Sequence, residues 1–129
     1  MELYKKIASI EEEADLRDVE EELYDRFGEP PRAAKNLLYI AYLRALSQTC
    51  RFRKVEQKEG TVYIYPEILD FRIWSALSAE NKKPDAGGKI MISMGEAPYV
   101  SYRLRHKEGA AEQLCSMFKK YIQLQSENL

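Results

Sequence analysis

The sequence predicts an α+β fold: N-terminal helices, two β-hairpins forming a small antiparallel sheet, and a closing C-terminal helix. Three observations lead there. Apolar residues recur at helical spacing from Leu3 to Leu46 and again from Ala111 onward. Between these stretches the period twice shortens to that of a strand, at Arg51–Tyr65 and at Ile90–Tyr102. In both cases a short turn joins two strand-like runs, which favours antiparallel pairing.

Leu3, Ile7 and Ile10 give the first helix its stripe. Asp15 offers an N-cap for a second, with Asp18 completing an imperfect capping box. Leu16, Val19, Leu23 and Phe27 form one amphipathic stripe running to about Arg26. Gly28 supplies a left-handed C-cap, and Pro30 and Pro31 forbid continuation. Pro31 suits the first position of the next helix. From Ala33 to Leu46 that helix is apolar on nearly every side, the signature of a central, buried one.

Arg51–Glu56 and Thr61–Tyr65 read as strands about a Lys58-Glu59-Gly60 turn, and Pro66 ends the hairpin. Ile68, Phe71, Ile73, Trp74 and Leu77 predict a helix to about Ala79. Asn81 to Gly88 is a polar loop. Ile90–Ile92 and Tyr99–Tyr102 pair through Gly95-Glu96-Ala97-Pro98. Ala111, Leu114, Cys115, Phe118, Ile122 and Leu124 share one face of the last helix.

The chain has 129 residues, 45% hydrophobic and 32% charged, which fits one globular domain, 1–129, with a core of its own. Its net charge of −1 supplies no global field toward nucleic acid or an anionic membrane. The charge is unevenly laid out. Glu11 to Glu29 is acidic, with Arg17 and Arg26 as counterweight, while Arg44 to Lys58 turns basic through Arg51, Arg53, Lys54 and Lys58. Such a layout either orients a charged partner or marks two solvated faces. Two cysteines without a Cys-x-x-Cys pair, and no apolar run of membrane-spanning length, point to a reducing cytoplasm.

No pattern in the sequence marks a catalytic, cofactor-binding or metal-binding residue. His106 is the single histidine, without a spaced set of further ligands, and reads as a solvated loop residue. Gly87-Gly88-Lys89 lacks the length, the following Ser or Thr and the helix of a phosphate loop, so it reads as a flexible turn. Cys115, on the apolar face of the last helix, is expected to be buried and inert; Cys50, at a helix–strand junction, more open. The glutamates of 11–13 and 20–22 point to different sides of a helix rather than across a cleft. Arg51, Arg53 and Lys54, flanking Phe52, are candidates for contact with a phosphate backbone.

Three segments stand out together. Leu3-Tyr4-Lys5-Lys6-Ile7-Ala8 is followed by Glu22-Leu23-Tyr24-Asp25-Arg26-Phe27-Gly28-Glu29-Pro30-Pro31, then by Leu37-Leu38-Tyr39-Ile40-Ala41-Tyr42-Leu43-Arg44. This order resembles the C-terminal domain of the bacterial transcription-repair coupling factor family, with strong motifs to about Lys54 and a looser likeness beyond. The resemblance implies a regulatory domain of a longer cytoplasmic protein, within which Met1 is an internal point. That parent carries an ATP- and magnesium-dependent translocase that moves on double-stranded DNA, displaces RNA polymerase stalled at a lesion, and recruits nucleotide excision repair through UvrA. The domain itself is then no enzyme. It packs on a UvrB-like N-terminal module of the same protein, covers the UvrA-binding surface and restrains the motor. Isolated, it is expected to be a monomer.

The resemblance places Glu22, Asp25 and Arg26 at that interdomain contact. By spacing they share one helical neighbourhood, i, i+3 and i+4. Leu23 and Phe27 are expected to point into the core and hold the helix down, while Gly28, Pro30 and Pro31 stiffen its end. The competing reading pairs Asp25 with Arg26 inside the chain, merely orienting the Phe27-Gly28 turn. An accessory DNA-binding module using the basic segment 44–58 is the alternative function.

Overall fold

A computed structural model describes residues 2–81, 88–105 and 109–127. His106 and most of the 81–88 loop, including Gly87, lie outside the described residues. The elements run α1 (Glu2–Ala8), α2 (Glu13–Phe27), α3 (Arg32–Cys50), β1 (Phe52–Lys58), β2 (Thr61–Pro66), α4 (Phe71–Asn81), β3 (Lys89–Ser93), β4 (Tyr99–Arg103) and α5 (Ala110–Glu127). The expected α+β class and both hairpins are present. The two hairpins join into one antiparallel four-stranded sheet of order β1-β2-β4-β3, because β2 also pairs with β4, Val62 opposite Tyr102 and Ile64 opposite Val100.

Period-two alternation divides that sheet into two unlike faces. Phe52, Val62, Ile64, Ile90, Val100 and Tyr102 are buried and join the helices in one hydrophobic core. Phe52 lies at its centre, with ring centroids 4.9 Å from Phe118, 5.1 Å from Tyr121 and 5.8 Å from Trp74. A bulge between Phe52 and Lys54 lets Phe52 face inward while the following strand keeps the opposite alternation.

Several local expectations change. The second helix is capped at Glu12 rather than Asp15, and Asp15 is its N3 residue, whose carboxylate accepts the N–H groups of Glu11 and Glu12 at 3.1 Å. Four acidic residues precede the stripe, so the helix could start at whichever left Leu16 facing inward. Pro31 is the N-cap of α3, not its first residue. Arg51 is not in a strand; it caps α3 in the left-handed region at φ 59°, ψ 47°, and its carbonyl accepts the N–H of Glu67 at 3.0 Å. The fourth helix starts at Phe71, which leaves Ile68 outside it and exposed.

α3 is not buried all round. Leu38, Tyr42, Leu46 and Cys50 form one buried line at i, i+4 spacing, whereas Leu37 and Ile40 are exposed. α2 and α5 cover only the sides on which they pack.

Gly88 is not part of a flexible turn. Its N–H donates to the Tyr102 hydroxyl at 3.1 Å, and its carbonyl accepts the Asn81 side-chain amide at 3.0 Å. A Cβ here would stand 1.9 Å from the Arg103 carbonyl oxygen, closer than any contact the backbone could accept without moving. Glycine at 88 is thus a requirement of close approach to β4.

Candidate functional site

At the end of α2 the apolar stripe is only partly covered. Leu16, Val19 and Leu23 are buried, but Phe27, the fourth member of the stripe, is 69% exposed. This overturns its expected role as a core anchor. At i+11 from Leu16 a helix has turned roughly 20° past three full turns, and α3 begins at Arg32, after a break at Gly28–Pro31. Tyr24, three residues before Phe27 and therefore on the same side, is 60% exposed. The Gly28 N–H closes the helix on the Tyr24 carbonyl at 2.8 Å, with Gly28 at φ 77° and ψ −161°, positive but not left-handed helical.

Beside these rings lie the three charged residues of the motif. Glu22 centres a local network: its carboxylate accepts the Lys6 ammonium at 2.8 and 2.9 Å and faces the Arg26 guanidinium at 3.3 Å. The hydrogen bond from Lys6 holds the Glu22 carboxyl below the usual carboxylate range, and the charge of Arg26 adds to this. Asp25 is exposed and makes no hydrogen bond or ion pair among the described residues. Arg26, also exposed, turns back to Glu22 rather than to Asp25. The three side chains are therefore not equivalent: Glu22 and Arg26 brace the helix against α1, and Asp25 faces solvent.

Sequence reasoning missed Tyr24 and Phe27 as surface features. The available signal was that Phe27 is the last residue before the Gly28 break, where a helical stripe ends.

The basic candidates Arg51, Arg53 and Lys54 are all exposed, but at different places: the α3 cap, the bulge and strand β1. Lys54 is 3.6 Å from Glu56, and its ammonium lies 5.8 Å from the Tyr65 ring centroid. Arg44 lies on α3, so segment 44–58 does not present one continuous basic surface.

Cys50 and Cys115 are free and buried, Cys50 against the Phe118 carbonyl and Cys115 against that of Tyr39. The expected openness of Cys50 fails because α5 packs over the end of α3. Burial pushes both thiols up to about 12. In the unfolded chain they ionise near the ordinary 9.0, so raising the pH favours unfolding. Stability should be intact below pH 9 and decline between about 9 and 12, by up to ~1.4 kcal/mol per pH unit for each thiol. Urea midpoints across that range should fall less steeply in a Cys50→Ala, Cys115→Ala double variant.

Among the described residues no group of histidine, cysteine and carboxylate side chains could hold a metal ion, and no helix is long and apolar enough to cross a membrane.

Comparison with known proteins covers both the motif region and the whole fold. A family model described as the TRCF domain matches residues 1–68, just over half of the chain. The transcription-repair-coupling factor of Escherichia coli (strain K12) is 46% identical over 56 residues, 43% of this chain and 5% of that protein. The Haemophilus influenzae protein of the same name is 43% identical over 53 residues, 41% of this chain and again 5% of the relative. The chain thus spans a small fraction of the length of these relatives. In structure it is similar to a crystal structure of the C-terminal domain of a transcription-repair coupling factor, with a TM-score of 0.79 at 23% identity, over 99% of this chain and 81% of that one.

Proposed function

From a chain that belongs to the TRCF domain family, we propose an autoinhibitory interaction domain of a transcription-repair coupling factor, acting by contact rather than by catalysis. It packs on the UvrB-like N-terminal module of the same protein, masks the UvrA-binding surface and restrains the ATP-dependent DNA translocase. In this reading the parent releases RNA polymerase stalled at DNA lesions and recruits nucleotide excision repair, and ATP and magnesium belong to its motor alone.

The observation that carries the reading is the tip of α2. Asp25, a carboxylate without a partner among the described residues, stands beside two largely exposed aromatic rings, Tyr24 and Phe27, at a helix end that Gly28 closes and that Pro30 and Pro31 stiffen. An interdomain contact uses aromatic anchors for affinity and charges for orientation. The surrounding ion pairs lie at the surface, where solvent screening keeps such pairs weak. Such a contact can be released, as a regulator requires.

The test is addition in trans. The 129-residue chain, added to a coupling factor that lacks this region, should bind it and lower both its ATPase rate and its recruitment of UvrA. Absence of binding with no change in either would overturn the proposal. Within the full protein, Asp25→Ala should raise basal ATPase and UvrA binding while leaving folding intact. Glu22→Ala and Arg26→Ala should do the same, with a small loss of helix stability because Lys6, Glu22 and Arg26 are one network. Loss of folding without gain of activity would support internal pairing instead.

A further inference from the structure

The face of the sheet turned away from the core carries a pattern that autoinhibition does not use. Alternation places Thr61, Tyr63 and Tyr65 of β2 on it, with Tyr99, Ser101 and Arg103 of β4 and Lys89 and Met91 of β3. Tyr99 is the hub of the aromatic group, its ring centroid 5.9 Å from Tyr63 and 5.8 Å from Tyr65. The rings are tilted by 59° and 43° rather than stacked flat on one another, and the Lys54 ammonium lies over that of Tyr65. All three are half-buried.

The charge around them opposes that of the chain. The whole molecule carries −1. On this face the strands place Lys54, Lys58, Lys89 and Arg103 against the single carboxylate of Glu56; Glu59 and Glu96 sit in the hairpin turns. Lys89 and Arg103 are direct register partners. Like charges opposite one another on a sheet repel, and neither has an ion pair among the described residues. A bound anion would relieve that repulsion. Phosphates in reach of these cations, with bases over the tyrosine rings, would satisfy both halves of the pattern.

We propose that this tyrosine face binds single-stranded DNA, with bases stacking on Tyr63, Tyr65 and Tyr99 and the backbone following Lys54, Lys58, Arg103 and Lys89. Duplex DNA is disfavoured because its bases are already stacked and cannot reach the rings. Deoxyribose is favoured over ribose by Met91, whose 59% exposed thioether would have to desolvate a 2′-hydroxyl. The proposal is independent of the α2 contact, which lies on a different element.

The test is fluorescence anisotropy of a labelled oligothymidylate of about twelve nucleotides with the 129-residue chain at low salt. Binding should be at least tenfold tighter than to a duplex of equal length and tighter than to the matching oligouridylate. Tyr99→Ala should weaken it by roughly 5- to 150-fold, the effect of removing one base–aromatic stack, while Tyr99→Phe retains it. If Tyr99→Ala disturbs folding, Lys89→Ala and Arg103→Ala provide the second arm. Each should flatten the salt dependence of binding by somewhat under one unit of log–log slope. No binding, equal binding of duplex, preference for RNA, or insensitivity to both sets of substitutions would each overturn the proposal.

Discussion

Phe27→Ala is expected to weaken the proposed contact between this chain and a UvrB-like module by about thirtyfold, without lowering the unfolding midpoint of the chain. The two halves of that expectation have separate causes. Phe27 has most of its surface in water in the free chain, so its removal opens no cavity; exposed substitutions of this kind change stability by about 0.5 kcal/mol or less. At an interface, an aromatic anchor on a stiff element loses little entropy on docking and can cost ~2 kcal/mol or more when truncated. Asp25→Ala should act more weakly at equilibrium and more strongly on the association rate and its salt dependence. Titration of the chain, wild type and variants, against the isolated module would measure both. A variant that unfolds more readily but binds unchanged would return Phe27 to a structural role and remove the aromatic half of the proposed latch.

Phe118→Ala should be among the most damaging single changes, destabilising the chain by about 3–5 kcal/mol. Its side chain is completely buried, its ring meets Phe52 edge-on at 4.9 Å, and its backbone carbonyl faces the Cys50 thiol. Truncation therefore opens a cavity where α5, α3 and the sheet meet, and the surrounding rings of Phe52, Trp74 and Tyr121 are too large to close it. Against a typical total of about 5–15 kcal/mol, such a loss leaves a marginal fold. Denaturant unfolding would show it as a lower midpoint with an unchanged slope. A loss under ~1 kcal/mol would mean that the core is looser than its contacts indicate. Trp74 is equally buried, yet its indole N–H finds no acceptor among the described residues. Part of what its ring contributes to packing is thus offset by that unmet donor.

The motif residues were legible because the chemistry they need is local. Glu22, Asp25 and Arg26 fall within one helical turn, and Gly28 with two prolines ends the helix whatever surrounds it. Which of the three is free could not be read, since the answer depends on Lys6, sixteen residues away in sequence. The tyrosine face was hidden for the same reason. Tyr63 and Tyr99 are adjacent only because β2 pairs with β4, and the same two hairpins could have joined through other edges.

Periodicity determined the helices, both hairpins and the α+β class, because the 3.6- and two-residue repeats are properties of the backbone itself. Sequence also determined the breaks, through proline and glycine. Tertiary structure alone decided which apolar residues are covered. It left Phe27, Leu37 and Ile40 in water, sealed Cys50 beneath α5, and brought Gly88 against β4. The physical reason is that an amphipathic stripe states only that burial is favourable, while covering it requires a neighbour of the right length at the right distance. At the end of α2 an apolar side chain is left at the surface, and there the proposed contact lies.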